Sequence, residues 1–458
     1  MLEKFIGDRA FYRKLFMVMT PVLVQNVITN FVSLLDNIMV GQVGTEPMSG
    51  VAIVNQLLFV FNLCIFGGLA GAGIFTAQFY GKSDKKGLRD SVRAKYYIAT
   101  AAVLLCLGIF LVYGEELIGF FLHEGQEDLD LNATLGYGMG YMRVMLLSTV
   151  PFAVMQVYGT TLRETGETFL PMKAGIIAVL VNLVGNYILI FGKLGAPAMG
   201  VVGAAWATVL ARIVECLIVV IWTHRHRERN PFIVGLYRSP KIPGKLAKRM
   251  LITGSPLLIN EVLWSTGMTM MNQCYSMRGL EAVSAVNIAS TISNLFFCAF
   301  FAMGTTISII IGQLLGAGEI ERAIDEDRKL IAFAVTLCTA VGVVMAVLAP
   351  LIPRIYNTSG TVKEMASRML LVSAAMMPLH AFVNGSYFTL RSGGRTVITF
   401  LFDSGFLWTV NVLTAYLLSR LTGFGVVTMF LIVELLNLIK ASIGYVLLKN
   451  RSWAVKLV

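Results

Sequence analysis

The chain has 458 residues, of which 56% are hydrophobic and 14% charged, and its formal net charge is +11. Soluble domains carry close to a quarter charged residues, so this composition excludes a soluble enzyme or binding module and indicates a polytopic membrane protein. A basic excess of this size would also suit a nucleic-acid partner, but its distribution along the chain assigns it to membrane topology.

Twelve apolar segments recur, near 13–40, 47–76, 94–113, 134–158, 168–191, 199–222, 250–276, 282–309, 329–350, 364–388, 396–418 and 425–448. Each is long enough to cross a bilayer as a helix. The first contains Pro21 and one acid, Asp36. An acid inside a span is by default a functional-site candidate, because translocon scales put its cost at roughly 2.5–3.5 kcal/mol. Basic residues crowd the N-terminus (Lys4, Arg9, Arg13, Lys14), the second loop (Lys82, Lys85, Lys86, Arg89) and the sixth (Arg225, Arg227, Arg229, Arg238, Lys241, Lys245). The alternate loops hold few, and the stretch from Gly114 to Asn132 is acidic with no Lys or Arg. By the positive-inside rule both termini are cytoplasmic, and no nucleic-acid partner is needed to explain the charge. The first apolar run is itself a full span with no small-residue cleavage site, so it is expected to stay in the membrane. All six cysteines lie inside apolar segments without metal-ligand spacing and read as packing residues. The basic, proline-bearing segment 224–249 is expected to be a hinge or strap, with His224 and His226 at its surface. No Walker A sequence, HExxH or convincing catalytic triad occurs, so the chain is read as a non-enzyme without a cofactor.

The chain is internally duplicated. An ungapped offset of about 235 residues pairs Pro21 with Pro256, Asn37 with Asn272, Gly44 with Gly279, Glu46 with Glu281, Gln78 with Gln313, Gly81 with Gly316, Asp90 with Asp325 and Arg93 with Arg328. Further on, Thr161 to Thr168 (TLRETGET) matches Thr389 to Thr396 (TLRSGGRT), each after a span bearing a proline, Pro151 or Pro378. Asp36, by contrast, falls opposite Met271, so that acid belongs to the first half alone. The expected fold is an all-α membrane protein of twelve transmembrane helices in two pseudo-symmetric six-helix bundles, with the chain divided as 1–223, a basic linker 224–249, and 250–458. Two six-span halves in one orientation are parallel repeats, and transporters built this way bind substrate between their halves.

Several segments together carry a family resemblance. LLDNIMVG in the first span, AQFYGKSD at the end of the Gly-rich second, the LR-x-x-G-x-T turns, NLVGNYILIFG with GVVGAAWAT, and GQLLGAGEIERA resemble the multidrug and toxic compound extrusion family. The resemblance covers essentially the whole chain. It implies a monomeric antiporter of a bacterial or archaeal inner membrane that exports cationic or amphipathic small molecules in exchange for Na+ or H+. A lipid-linked oligosaccharide flippase of the same superfamily is the alternative; it would need a cationic cavity, to which Arg143, Arg212 and Arg368 are the intraspan candidates. A passive channel or receptor would show downhill flux without gradient dependence.

The resemblance also nominates site residues. Asp36 matches the family's cation-coupling acid. Asn182 and Asn186 share one helical face, and Thr208 matches a nearby hydroxyl position. With Asp36 the two asparagines would ligate sodium if the coupling ion is Na+. Some members have Asp where Asn186 stands, and this chain follows the NorM-like pattern instead. For substrate, Glu261 lies near the middle of span seven, about one turn from the usual acidic position, which is Trp264 here. His380 stands where some members carry a span-ten carboxylate, and Asp403 opens D-x-x-x-x-W with Trp408. Glu215 and Glu434 are expected near the interface or paired with Arg212 and Lys440. The 23 methionines suit an adaptable binding surface but mostly pack.

Overall fold

A computed structural model describes residues 4–122 and 130–458, apart from the side chains of 33, 34 and 37. Glu124, Glu127 and Asp128 of the acidic stretch lie outside the described residues. Among the described residues every regular element is helical. The long helices are α1 (Arg9–Gly41), α2 (Thr45–Gly81), α3 (Lys85–Phe121), α4 (Leu131–Glu164), α5 (Phe169–Phe191), α6 (Gly200–Arg225), α7 (Gly244–Ser276), α8 (Leu280–Ala317), α9 (Ile320–Leu348), α10 (Gly360–Ser392), α11 (Thr396–Leu421) and α12 (Val426–Lys449). Eleven of these are long and apolar enough to cross a membrane. The exception is α7, where Lys245, Lys248, Arg249, Asn260 and Glu261 dilute the apolar run. The protein is thus an all-α, multi-pass membrane protein.

Several helices outrun the apolar segments that announce them. Helix α3 starts at Lys85, well before its apolar run, because its first turns already bury Leu88, Asp90, Ser91 and Val92. Helix α4 tightens into a 3-10 turn at Leu146–Ser148, just ahead of Pro151. A proline cannot donate to the preceding turn, so this geometry frees the backbone locally. Helix α11 widens to π geometry over Leu401–Gly405 and Leu407–Val412. Pro21, Pro256 and Pro378 all lie inside continuous helices.

The chain divides into two compact units. One comprises the chain up to Leu23, Ala77–Asp84, and everything from Leu251 onward; the other comprises Val24–Thr76 and Lys85–Met250. In the first unit, Leu15, Met19 and Val22 of α1 share a buried apolar cluster with Ile307, Ile311 and Leu314 of α8 and Leu330 of α9. The end of α2 packs in the same unit against α8. A Cβ on Gly81 would run into the Gln313 carbonyl, and one on Gly316 would run into that of Gln78. Gly81 and Gly316 are repeat mates, as are Gln78 and Gln313, so this close crossing is reciprocal. Gln78 also ties down the chain end: its amide donates to Ser392 O at 3.1 Å, and its Oε1 accepts from Leu457 N at 2.7 Å.

In the second unit the segment after α6 is a strap and not a free hinge. Phe232, Ile233 and Leu236 are buried, and Arg93 of α3 donates to the carbonyls of Leu236 and Gly235, both at 2.9 Å. His224 is half-buried and stacks on Tyr237, while His226 is exposed. All six cysteines are free thiols.

Candidate functional site

The second unit contains the cluster nominated around Asp36. Helix α1 carries Asp36 fifteen residues beyond Pro21, α5 supplies Asn182 and Asn186 one turn apart, and α6 supplies Thr208. Asn186 Nδ2 donates to Asp36 Oδ1 at 2.7 Å. The Asn182 amide is satisfied only with its nitrogen toward the carboxylate. So placed it donates to both Asp36 oxygens at 2.9 Å, and its oxygen lies 3.2 Å from Thr208 Oγ1. Thr208 in turn is anchored to Ala204 O at 3.0 Å. Asp36 therefore accepts from two amides and has no cationic partner among the described residues. Asn186 Oδ1 is buried without a donor. An orphaned buried oxygen beside a carboxylate fits a cation ligand, since such a group ordinarily finds a partner. Sequence reasoning missed two neighbours, Tyr141 of α4 and Asn55 of α2. Tyr141 is buried, close enough to feel the Asp36 charge, and donates to Asn55 Oδ1 at 3.2 Å. Their only signal in sequence was polarity within an apolar run, which many packing residues share.

The first unit holds the other nominated residues in two groups. Asp403, in the first π-helical stretch of α11, accepts from Asn260 Nδ2 at 3.1 Å through one oxygen and from Lys440 Nζ at 2.8 Å through the other. Ser404 Oγ donates to Asn260 at 2.7 Å and so orients the amide. Glu261, next along α7, is half-buried, feels the charges of Arg391 and Asp403, and has no hydrogen-bond or ion-pair partner among the described residues. Trp264 packs partly buried against the core of this unit. His380 belongs to a different group: its Nε2 stands 3.0 Å from Glu434 Oε2, close enough for an ion pair but without the alignment of a hydrogen bond. Phe297 and Phe300 flank its ring at 5.8 and 6.2 Å. Glu434 does not pair with Lys440: the two stand six residues apart on α12 and so do not share a face, and the ammonium meets Asp403 instead. Back in the second unit, Glu215 pairs with Arg212 at 3.2 Å, as its spacing suggests.

Among the described residues, no group of three or more His, Cys, Asp or Glu side chains could hold a metal ion. The amide and hydroxyl oxygens around Asp36 are of a different kind and suit a weakly held monovalent ion.

A family model, MatE, matches residues 21–188 and again 256–417, one match in each repeat. The chain belongs to the MatE family. Among curated relatives it is similar to the probable multidrug resistance protein NorM of Thermotoga maritima, at 24% identity over 87% of this chain and 84% of the relative. It is also similar to the multidrug resistance protein MdtK of Pectobacterium atrosepticum, at 24% identity over 89% of this chain and 87% of that protein. In fold it resembles a multidrug resistance MATE family transporter of the MOP superfamily, solved in an outward-facing conformation, with a TM-score of 0.87, 19% identity and coverage of 98% and 97%. A Vibrio cholerae MATE transporter, solved as a mutant, aligns with a TM-score of 0.86 at 16% identity over 96% of this chain and 97% of that one. These likenesses support the twelve-helix MATE fold, and the family's members are transporters and not enzymes.

Proposed function

We propose that this MatE-family protein is a secondary antiporter that exports cationic or amphipathic small molecules in exchange for Na+ or H+, with Asp36 as the coupling carboxylate. Relatives named as multidrug resistance proteins support the efflux part of this reading. The observation that carries the coupling part is Asp36 itself, a carboxylate within a span that, among the described residues, is held by amide donors alone beside an orphaned Asn186 oxygen. Donors of this kind stabilise the charged form while no cation is present. A sodium ion would take Asp36, Asn186 Oδ1 and Thr208 Oγ1, and would draw the Asn182 oxygen round in place of its nitrogen. A proton on Asp36 would likewise need one amide to present oxygen. Either cation removes the uncompensated charge and rewires the α1–α5 contact, which links ion binding to the position of α1.

In the other unit, Glu261, His380 and Asp403 are proposed to receive substrate. Glu261, without a hydrogen-bond or ion-pair partner among the described residues, is the acid most available to a positive charge. Both termini are proposed to face the cytoplasm, and the protein to act as a monomer in the cell membrane. The flippase alternative loses support because two of the three arginines it needs are already matched: Arg212 pairs with Glu215 and stacks over Phe152, and Arg368 pairs with Glu364 at 2.6 Å, which leaves Arg143 alone to supply a cationic cavity. The deciding experiment is ethidium transport in proteoliposomes with a sodium gradient, a proton gradient or neither imposed. Transport driven by one gradient and abolished in Asp36→Asn supports the reading, whereas gradient-independent flux overturns it.

A further inference from the structure

In the first unit the Lys440 ammonium is enclosed by one carboxylate and two aromatic rings. It is 2.8 Å from Asp403 Oδ1 and lies over the rings of Phe402 at 5.4 Å and Phe406 at 5.9 Å. A carboxylate combined with aromatic faces is the chemistry by which proteins recognise amine and quaternary-ammonium ligands. The carboxylate is also preset: Asn260 holds its second oxygen, and Ser404 holds Asn260 through Oγ at 2.7 Å and its backbone N–H at 3.3 Å. An ion pair of this kind inside an apolar unit is weak evidence for stability, since an apolar pair of similar volume often serves as well.

A groove of about 360 Å³ adjoins the same two rings, lined by Phe402, Gly405, Phe406 and Thr409 of α11 and by Ile443 and Leu447 of α12. The lining is apolar and open on one side. Phe402 and Phe406 are thus shared between a cage for a positive charge and a groove for an apolar chain. Lys440, Ile443 and Leu447 follow one another along one face of α12, so the ammonium stands at one end of the groove's α12 wall.

We propose that the Asp403 cage is a substrate subsite for amphipathic ammonium compounds and that Lys440 is its specificity-determining residue. The head of such a compound replaces the Lys440 ammonium on Asp403 and the two rings, and its apolar part lies in the groove. Lys440 thereby sets a threshold: only a cation that also brings enough apolar surface to fill the groove displaces it. Small hydrophilic ammonium ions are rejected. The inference rests on the efflux reading above and deepens it.

The test is binding of dodecyltrimethylammonium, below its micellar concentration, to purified protein in nanodiscs, with tetramethylammonium and uncharged dodecanol as companions. Lys440→Met keeps the apolar stem and removes the resident charge. It should bind dodecyltrimethylammonium at least tenfold more tightly than the unsubstituted protein, begin to bind tetramethylammonium, and leave dodecanol unchanged. The double variant Lys440→Met/Asp403→Asn should lose the gain. If Lys440→Met does not fold, Ile443→Trp decides, because filling the groove should weaken dodecyltrimethylammonium at least fivefold. Unchanged or weaker cation binding in Lys440→Met, or unchanged binding in Ile443→Trp, overturns the proposal. Gradient-driven ethidium transport by the unsubstituted protein is measured alongside. If it is present while the binding results go the wrong way, only the Lys440 assignment fails; if it is absent, the efflux reading fails with it.

Discussion

Lys95 has no exposed surface, and its ammonium lies 2.5 Å from Glu164 Oε2 and 3.2 Å from the hydroxyls of both Thr160 and Thr161. The repeat mate of Thr161 is Thr389, which donates instead to Asp327, a carboxylate 4% exposed, at 2.5 Å. A hydroxyl both accepts and donates, so the duplicated threonine serves a buried ammonium in one half and a buried carboxylate in the other. Nothing in the sequence read on its own singled out Lys95 or Asp327. Removing one partner of a buried pair strands the other charge at a cost of about 3–5 kcal/mol, whereas removing both is often nearly neutral. Lys95→Met is therefore expected to lower the thermal unfolding midpoint in detergent strongly, and Lys95→Met/Glu164→Gln to recover most of it. A double variant as damaged as the single one would contradict this account. At Asp36 the expectation differs, because its partners are neutral amides. Asp36→Asn should fold with an unchanged unfolding midpoint yet show no gradient-driven transport. Glu261→Gln should weaken cationic substrates far more than neutral ones and leave cation binding measurable, and equal loss of both substrate classes would remove Glu261 from the substrate role.

At the scale of elements, the α2–α8 crossing and the π turns of α11 do the most to place side chains. Gly81 and Gly316 let two backbones touch where any Cβ would meet a carbonyl, a device that membrane helices use often because van der Waals packing drives their association. Gly81→Leu should destabilise by on the order of 3 kcal/mol through overpacking, read as a lower unfolding midpoint, and Gly316→Leu should match it because the contact is reciprocal. A clear difference between the two would show that the repeat symmetry does not extend to their energetics. In α11, Asp403 and Trp408 are five residues apart, which an α-helix would spread over different faces. The π geometry, with its i→i+5 bonds, brings both to α7: Asp403 meets Asn260, and Trp408 Nε1 donates to Leu263 O at 2.8 Å.

For the whole molecule, twelve crossings are expected to put the two chain ends on one side of the membrane, and the basic loops to put that side in the cytoplasm. In a background lacking the six cysteines, Lys4→Cys and Val458→Cys should both resist an impermeant maleimide added to intact cells and react once the membrane is opened. Labelling of only one in intact cells would require an odd number of crossings. The duplication is a second whole-molecule feature, with one family-model match in each half at the same offset as the polar repeat.

The twelve helices, the repeat and the family were legible in the chain because each rests on local quantities: apolar length, charge between spans, and polar residues recurring in register. Asp36 was legible as the one acid of the first span, Asn182 and Asn186 as a pair on one helical face, and Thr208 through the family resemblance, and the structure does bring those four together. What lay beyond reach was partnership. Which acid Lys440 takes, why Glu261 has no partner among the described residues, and that Lys95 and Asp327 are buried at all depend on side-chain reach across helices distant in sequence and on the extra width of two π turns. Hydrophobic patterning specifies which segments enter the membrane but not their rotation about their own axes. That rotation is set by packing, and packing decided the ion pairs.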